Sequence, residues 1–352
     1  MKKLTILFVF VLAALLAKPC TTFTFINSEG KLIFGRNYDF PTGIGMVNIN
    51  PRGLMKFAFV QPPEKQFQWK AKYGSISFNQ IGREFPYGGM NEAGLVIEQM
   101  WLNEAQYPEQ DKRYGLTELQ WIQYQLDMSA SVEDVINSDT LVRISPQSVA
   151  TLHFLVADAK GNTIVFEYLN GEMNVYRNQD LPYTTLANCP YERSVKFTKY
   201  NDDADTVVFT DWTKNSSGRF AKAARMIKKY DNQPSVDYAY TLLDSVSQLH
   251  GTQWSIVYDL DKREIFVKTQ QNKNIRKIEM SAFCFEPGCR KNLQANIQSD
   301  MFRKKDFKPY NYQKNLDLIN EVCAKAEFLG QNMPIQARVA TIKHGERVLE
   351  IK

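Results

Sequence analysis

Threonine and phenylalanine alternate in "TTFTF" (21–25), "NSEG" follows as a turn, and "KLIFGRN" resumes an apolar run. Alternation with period two, bounded by turn residues, predicts a β-hairpin. With the turn centred on Ser28 and Glu29, position 20 falls opposite position 36 or 37, within one residue of register. "GRNYDF" therefore returns alongside Cys20. Further strand-like runs follow at "MKFAFVQ", "YGSISFN" and "GGMNEAGLVIEQMWL".

The period then changes. "GLTELQWIQYQLDM" has helical spacing, and "SASVEDVINS" opens with a serine cap and carries Glu133 and Asp134 in its first turn. "TLHFLVADAKGNTIVFEYLNGEMNVYRN" returns to strands, with "AKGN" and "LNGE" as turns, and "TTLANCPYE" completes that block. Two helical stretches come next, "SSGRFAKAARMIKKY" and "SVDYAYTLLDSVSQL", then the paired strands of "TQWSIVYDLDKREIFVKT". The order β, α, β, α, β predicts an α+β protein with antiparallel sheets and helices outside them. A parallel nucleotide-binding sheet is not expected, because no glycine-rich phosphate loop is present. From about residue 300 the chain is charged, with one helix expected at "NLDLINEVCAKAEFLG", and reads as an appendage to the core.

Ahead of these elements stands "LTILFVFVLAALLA", an unbroken apolar run behind Lys2 and Lys3. Its length and position predict a secretory signal, with a single N-terminal anchor helix as the alternative. Residues 1–19 are read as signal peptide and short leader, 20–300 as the main domain and 301–352 as a C-terminal extension. An exported protein follows, periplasmic or extracellular, with no stable membrane insertion after processing. Removing Lys2, Lys3 and Lys18 would lower the formal net charge from +5 to +2. With no basic helix or RNA-binding signature, no nucleic-acid partner is expected.

Five cysteines remain: Cys20, Cys189, Cys284, Cys289 and Cys323. An odd number in an exported protein leaves a thiol to account for. Cys284 and Cys289 are close enough to bridge, which spacing alone does not establish; a zinc site is a poor rival with so few histidines. Cys20 is the candidate nucleophile. At a mature N-terminus its own α-amine could take the thiol proton and later protonate a leaving amine, so no separate histidine is needed. His153, His250 and His344 are accordingly read as structural. Pro19 is awkward for a signal peptidase, and a lipid-modified Cys20 is the competing reading. Arg36 would favour thiolate and Asp39 could hold an ammonium group; an exposed ion pair at a hairpin end is the equal alternative.

"CTTFTFINSEGKLIFGRNYDF" resembles the start of the choloylglycine hydrolases and penicillin V acylases, linear-amide hydrolases with an N-terminal nucleophile. The likeness continues in order through "YGGMNEAGL", "TLHFLVADAKGNTIVFEYLNGEMNVY", "TTLANCPYE", "SSGRFAKAARM" and "GTQWSIVYDL", over roughly residues 20–270. It implies a four-layer αββα fold, with Cys20 as nucleophile, Arg36 beside it and Asp39 orienting the α-amine. It further implies that Asn188 helps hold the oxyanion and that Arg219 is an active-site arginine. Trp101 stands where bile-salt-cleaving members carry asparagine, so it either donates to the oxyanion or lines an aromatic pocket. The expected partner is a small-molecule N-acyl amide: a phenoxyacetyl-type or fatty-acyl amide, a conjugated bile acid or an N-acyl lactone. No metal or organic cofactor is implied, and a homo-oligomer is possible. A lipid-anchored binding protein on the same scaffold and a peptidase-like processing enzyme are the other readings.

Overall fold

The computed structural model describes residues 20–201, 212–249, 251–286 and 293–350. The leader, His250 and Cys289 lie outside them. The expected hairpin forms from β1, Thr21–Ile26, and β2, Leu32–Asp39. Its register pairs Thr21 with Asn37 and Thr22 with Arg36, so Cys20 falls level with Tyr38, one place beyond the expected position. The turn explains the shift. The Gly30 N–H donates to the Asn27 carbonyl at 3.0 Å, and Gly30 has φ of 73°, adding a left-handed residue after the tight turn.

β2 is central in a six-stranded sheet, with β1 on one side and Thr252–Asp259 on the other. Alternation sorts the side chains of this sheet. Phe23, Phe25, Ile33 and Val257 face the helices Trp212–Lys228 and Ser235–Ser245, packing on Ala223, Tyr238, Leu242 and Leu243. Phe34 and Tyr258 face inward, and Tyr258 packs edge-on to Phe34 at 5.8 Å and to Phe78 of the other sheet at 6.4 Å. That second sheet has nine strands. The helix Glu118–Met128 covers it, with Trp121 on Phe154 at 4.7 Å and Phe166 at 5.9 Å. Helix, sheet, sheet and helix give the α+β, αββα arrangement. Ser131 caps the helix Val132–Ser138 in a reciprocal capping box with Asp134, as its spacing predicts.

Three local outcomes differ from the sequence reading. "MKFAFVQ" yields only a short strand, Met55–Phe57, in a separate ribbon with Gln68–Lys70. "TTL" does not complete the nine-stranded sheet; Thr185–Leu186 crosses to the six-stranded sheet and pairs with β1. From residue 301 onward, the stretch read as an appendage packs into the main core through Leu318, Ile319, Val322, Leu329 and Ile342. Its expected single helix is two, Tyr312–Lys325 and Glu327–Asn332, followed by a third, Ile335–Glu350. Among the described residues no helix is long and apolar enough to cross a membrane.

Candidate active site

Cys20 sits where the ends of two strands meet. β1 pairs Thr22 with Leu186, two residues along the chain from Cys20 and from Asn188 respectively. On the other flank the Asp39 N–H donates to Cys20 Sγ at 3.4 Å. Arg219, one turn from Ser216 on the helix Trp212–Lys228, donates from Nη1 to the Cys20 carbonyl at 2.6 Å and also to the Thr21 hydroxyl. Cys20 is therefore held at its sulfur by one strand and at its carbonyl by the helix.

Burial pushes the Cys20 thiol up to about 11; Arg36 pulls the other way, Asp39 raises it, and Arg219 lowers it weakly. Desolvation wins. This value is that of a chain in which residue 20 is joined to residue 19.

Arg36 is wholly buried, which removes the alternative of an exposed ion pair with Asp39. Its Nη1 pairs with Glu98 and donates to the Tyr87 carbonyl at 3.1 Å, while Nη2 reaches the Gln99 carbonyl at 3.2 Å. Arg36 belongs to the six-stranded sheet and Glu98 to the nine-stranded one, so this ion pair spans the dry interior between them. Tyr258 donates to the other Glu98 oxygen. Burial pushes the Glu98 carboxyl up to about 7, against the pull of Arg36 and Tyr258. Gly88 lies directly across from Glu98 on the neighbouring strand, and a Cβ there would sit 2.0 Å from Glu98 Oε2. Only glycine leaves room for this carboxylate.

Asp39 is positioned by Thr252, whose hydroxyl donates to Oδ1 at 2.5 Å across the strand pair. Asn188 is also buried. Its backbone N–H donates to Ser216 Oγ at 2.7 Å, and its Nδ2 donates one hydrogen to the Trp101 carbonyl at 2.8 Å. The segment before it is held by His153, which bonds Glu167 at 2.9 Å and the Ala187 carbonyl at 2.6 Å. Both ring nitrogens being engaged, His153 is structural.

Cys20, Asp39 and Trp101 share one cavity of about 520 Å³. Its wall is mostly aromatic and aliphatic, including Tyr38, Phe59, Phe85 and Phe328, with Glu118, Lys325 and Glu327 as charged members beside Asp39. The Trp101 indole N–H is spent on Asn103 Oδ1 at 2.6 Å, and its ring packs edge-on to Phe328 at 4.8 Å. Of the two roles open to it, lining the pocket fits the geometry. Arg36, Asn188 and Arg219 stand behind the wall rather than on it.

Glu98, Thr252 and Ser216 escaped the sequence reading. A signal for the first existed: "GLVIEQMWL" puts one carboxylate in the middle of an apolar strand, where a charge needs a partner. Cys284 is disulfide-bonded, while Cys20 and Cys323 are free thiols.

Residues 20–286 match the model of the linear amide C–N hydrolases, choloylglycine hydrolase family. A penicillin V acylase of Pectobacterium atrosepticum is 24% identical over 264 residues, covering 62% of this chain and 69% of that protein. A bile salt hydrolase/transferase of Clostridium perfringens is 23% identical over 85% of this chain and 98% of its own. Among solved structures, penicillin V acylase from Agrobacterium tumefaciens superposes with a TM-score of 0.70 at 23% identity, covering 83% of this chain and 98% of that one. A mutant of the conjugated bile acid hydrolase from Clostridium perfringens gives 0.63 at 19% identity, covering 83% and 97%. The chain belongs to the choloylglycine hydrolase family of linear amide C–N hydrolases.

Proposed function

We propose that the chain is an exported hydrolase of linear, non-peptide amides of N-acyl compounds, penicillin V acylase-like, with Cys20 as an N-terminal nucleophile. The observation that carries this reading is the Cys20 thiol on the wall of an apolar cavity, with Arg36, Asp39, Asn188 and Arg219 gathered around it. Before processing, burial keeps the thiol protonated and inert. Cleavage before Cys20 creates an α-amine, titrating at roughly 7.7–8.0, on the residue that bears the sulfur.

That amine takes the thiol proton, and Sγ attacks the amide carbonyl. Charge develops on the carbonyl oxygen, where backbone N–H groups donate; each such donor contributes on the order of 10²–10³ in rate. Asn188, buried behind the wall with its Nδ2 on the Trp101 carbonyl, acts by positioning that strand beside the reacting carbonyl. The ammonium group then protonates the leaving amine, and the C–N bond breaks to give a thioester. Water, deprotonated by the same α-amine, releases the acid and restores the thiol. Arg36 stays charged behind the thiol and favours its anion, with Glu98 and Tyr258 fixing the guanidinium. Asp39, held by Thr252, is the carboxylate that orients the new ammonium group.

The test is a panel of penicillin V, fatty-acyl amides, a glycine-conjugated bile acid and short peptides against the protein beginning at Cys20. Turnover of the acyl amides, absent in Cys20→Ala, is expected. Preferred turnover of the bile acid would move the assignment to a conjugated bile salt hydrolase, and peptide turnover alone to a processing peptidase. A thioether-linked diacylglycerol on Cys20 would end the amidase reading in favour of a lipid-anchored binding protein.

A further inference from the structure

The family match ends at residue 286, yet residues beyond it wall the cavity. The helix Tyr312–Lys325 stops at Ala326, where φ of −114° and ψ of 93° leave the helical region, and a new helix starts at Glu327. That break sets Ala326, Phe328, Leu329 and Met333 into the cavity wall, together with the exposed Lys325 and Glu327. Thr341, on the following helix, joins them. On the same helix, His344 packs its ring on Phe59 at 5.0 Å and Phe85 at 5.9 Å, two wall residues contributed by the core. Its Nε2 is 3.0 Å from Gln120 Nε2, tying the helix to the covering layer of the nine-stranded sheet. The C-terminal segment thus supplies part of the wall and braces more of it.

We infer that this segment is the acyl-selecting wall of the site: it closes an apolar chamber whose occupant is an extended apolar acyl chain ending against Phe328, Leu329 and Met333. The inference rests on the amidase reading above and names the part of the substrate that reading leaves open. Cavity size and lining agree with it. About 520 Å³ lies within the roughly 300–1,000 Å³ typical of small-molecule sites. Most of the lining side chains are aliphatic or aromatic; these reward each added methylene with burial and offer a polar tail no hydrogen bond.

The experiment is an acyl series, acetyl to dodecanoyl, on a single amine, hydrolysed by the protein beginning at Cys20. In the wild type kcat/KM should rise roughly three- to fourfold per methylene until the chamber is full. Phe328→Ala should lower the ratio of long-chain to short-chain kcat/KM by roughly tenfold or more, and Met333→Ala should shift it the same way. Independently of any variant, the free carboxylic acids of the series should inhibit the wild type with constants that fall in parallel. A flat series in wild-type turnover or inhibition, or a ratio unmoved in both folded variants, overturns the inference and leaves the amidase reading standing. No turnover of any member by the wild type removes both.

Discussion

Around Cys20 the fold uses buried charge, whereas around the far wall of the same cavity it uses almost none. Arg36 and Glu98 are fully enclosed between two sheets, and Asp39, Asn188 and Arg219 are each tied by named partners. At the C-terminal end the contacts are Phe328 on Trp101, Leu329 and Met333; Lys325 and Glu327 also line the cavity but stay exposed, Lys325 pairing with Glu321 at 2.8 Å. The first region lies inside the family match and the second outside it. Buried ion pairs hold a group in one place because displacement strands a charge; apolar walls tolerate reshaping at modest cost. The contrast teaches that the chemistry is held rigidly and the selectivity is carried by a segment free to differ.

Changes that break this contrast should rank accordingly. Cys20→Ala should remove turnover, a loss on the order of 10⁶-fold in kcat, read in a single-turnover assay. Glu98→Ala should destabilise the fold by about 3–5 kcal/mol in denaturant melts, because it leaves the Arg36 charge buried and unpaired. Glu98→Gln, which keeps hydrogen-bonding capacity, should recover part of that loss, and Gly88→Ala should mimic Glu98→Ala by displacing the carboxylate. Phe328→Ala, at the other end, should cost far less stability and register instead in acyl selection.

The pH response sharpens the same division. The Cys20 thiol of the unprocessed chain is raised from about 9.0 to about 11, so the folded chain holds a proton that the unfolded chain has released between those values. Its contribution to stability is complete below about pH 9 and is lost as pH climbs to about 11, roughly 2–3 kcal/mol in all. Alkylation by iodoacetamide should report it directly: negligible for the unprocessed chain at about pH 8, and prompt for the protein that begins at Cys20.

Local features were legible in the sequence. Alternation in "TTFTF" and "KLIFGRN" predicted the hairpin, and only the left-handed Gly30 moved its register by one. The Ser131 cap followed from spacing. What escaped depends on contacts between distant segments. Nothing near Glu98 in the chain names Arg36, which reaches it only because two sheets stack face to face. The crossing of Thr185–Leu186 to the other sheet, which brings the segment carrying Asn188 to the strand that follows Cys20, is likewise a tertiary choice. The helix break at Ala326 carries no glycine or proline to announce it. Of the site, Cys20, Arg36 and Asp39 could be argued from the hairpin, while Asn188, Arg219 and Trp101 came from the family resemblance.

The central claim is that sulfur and primary amine share residue 20. Intact-mass and peptide analysis of the active protein, quenched during turnover of an acyl amide, tests it most directly. The account predicts an N-terminal peptide beginning at Cys20 with an unmodified amine and an acyl group on Sγ. Active protein that still carries Pro19, or any group bonded to that nitrogen, would contradict it.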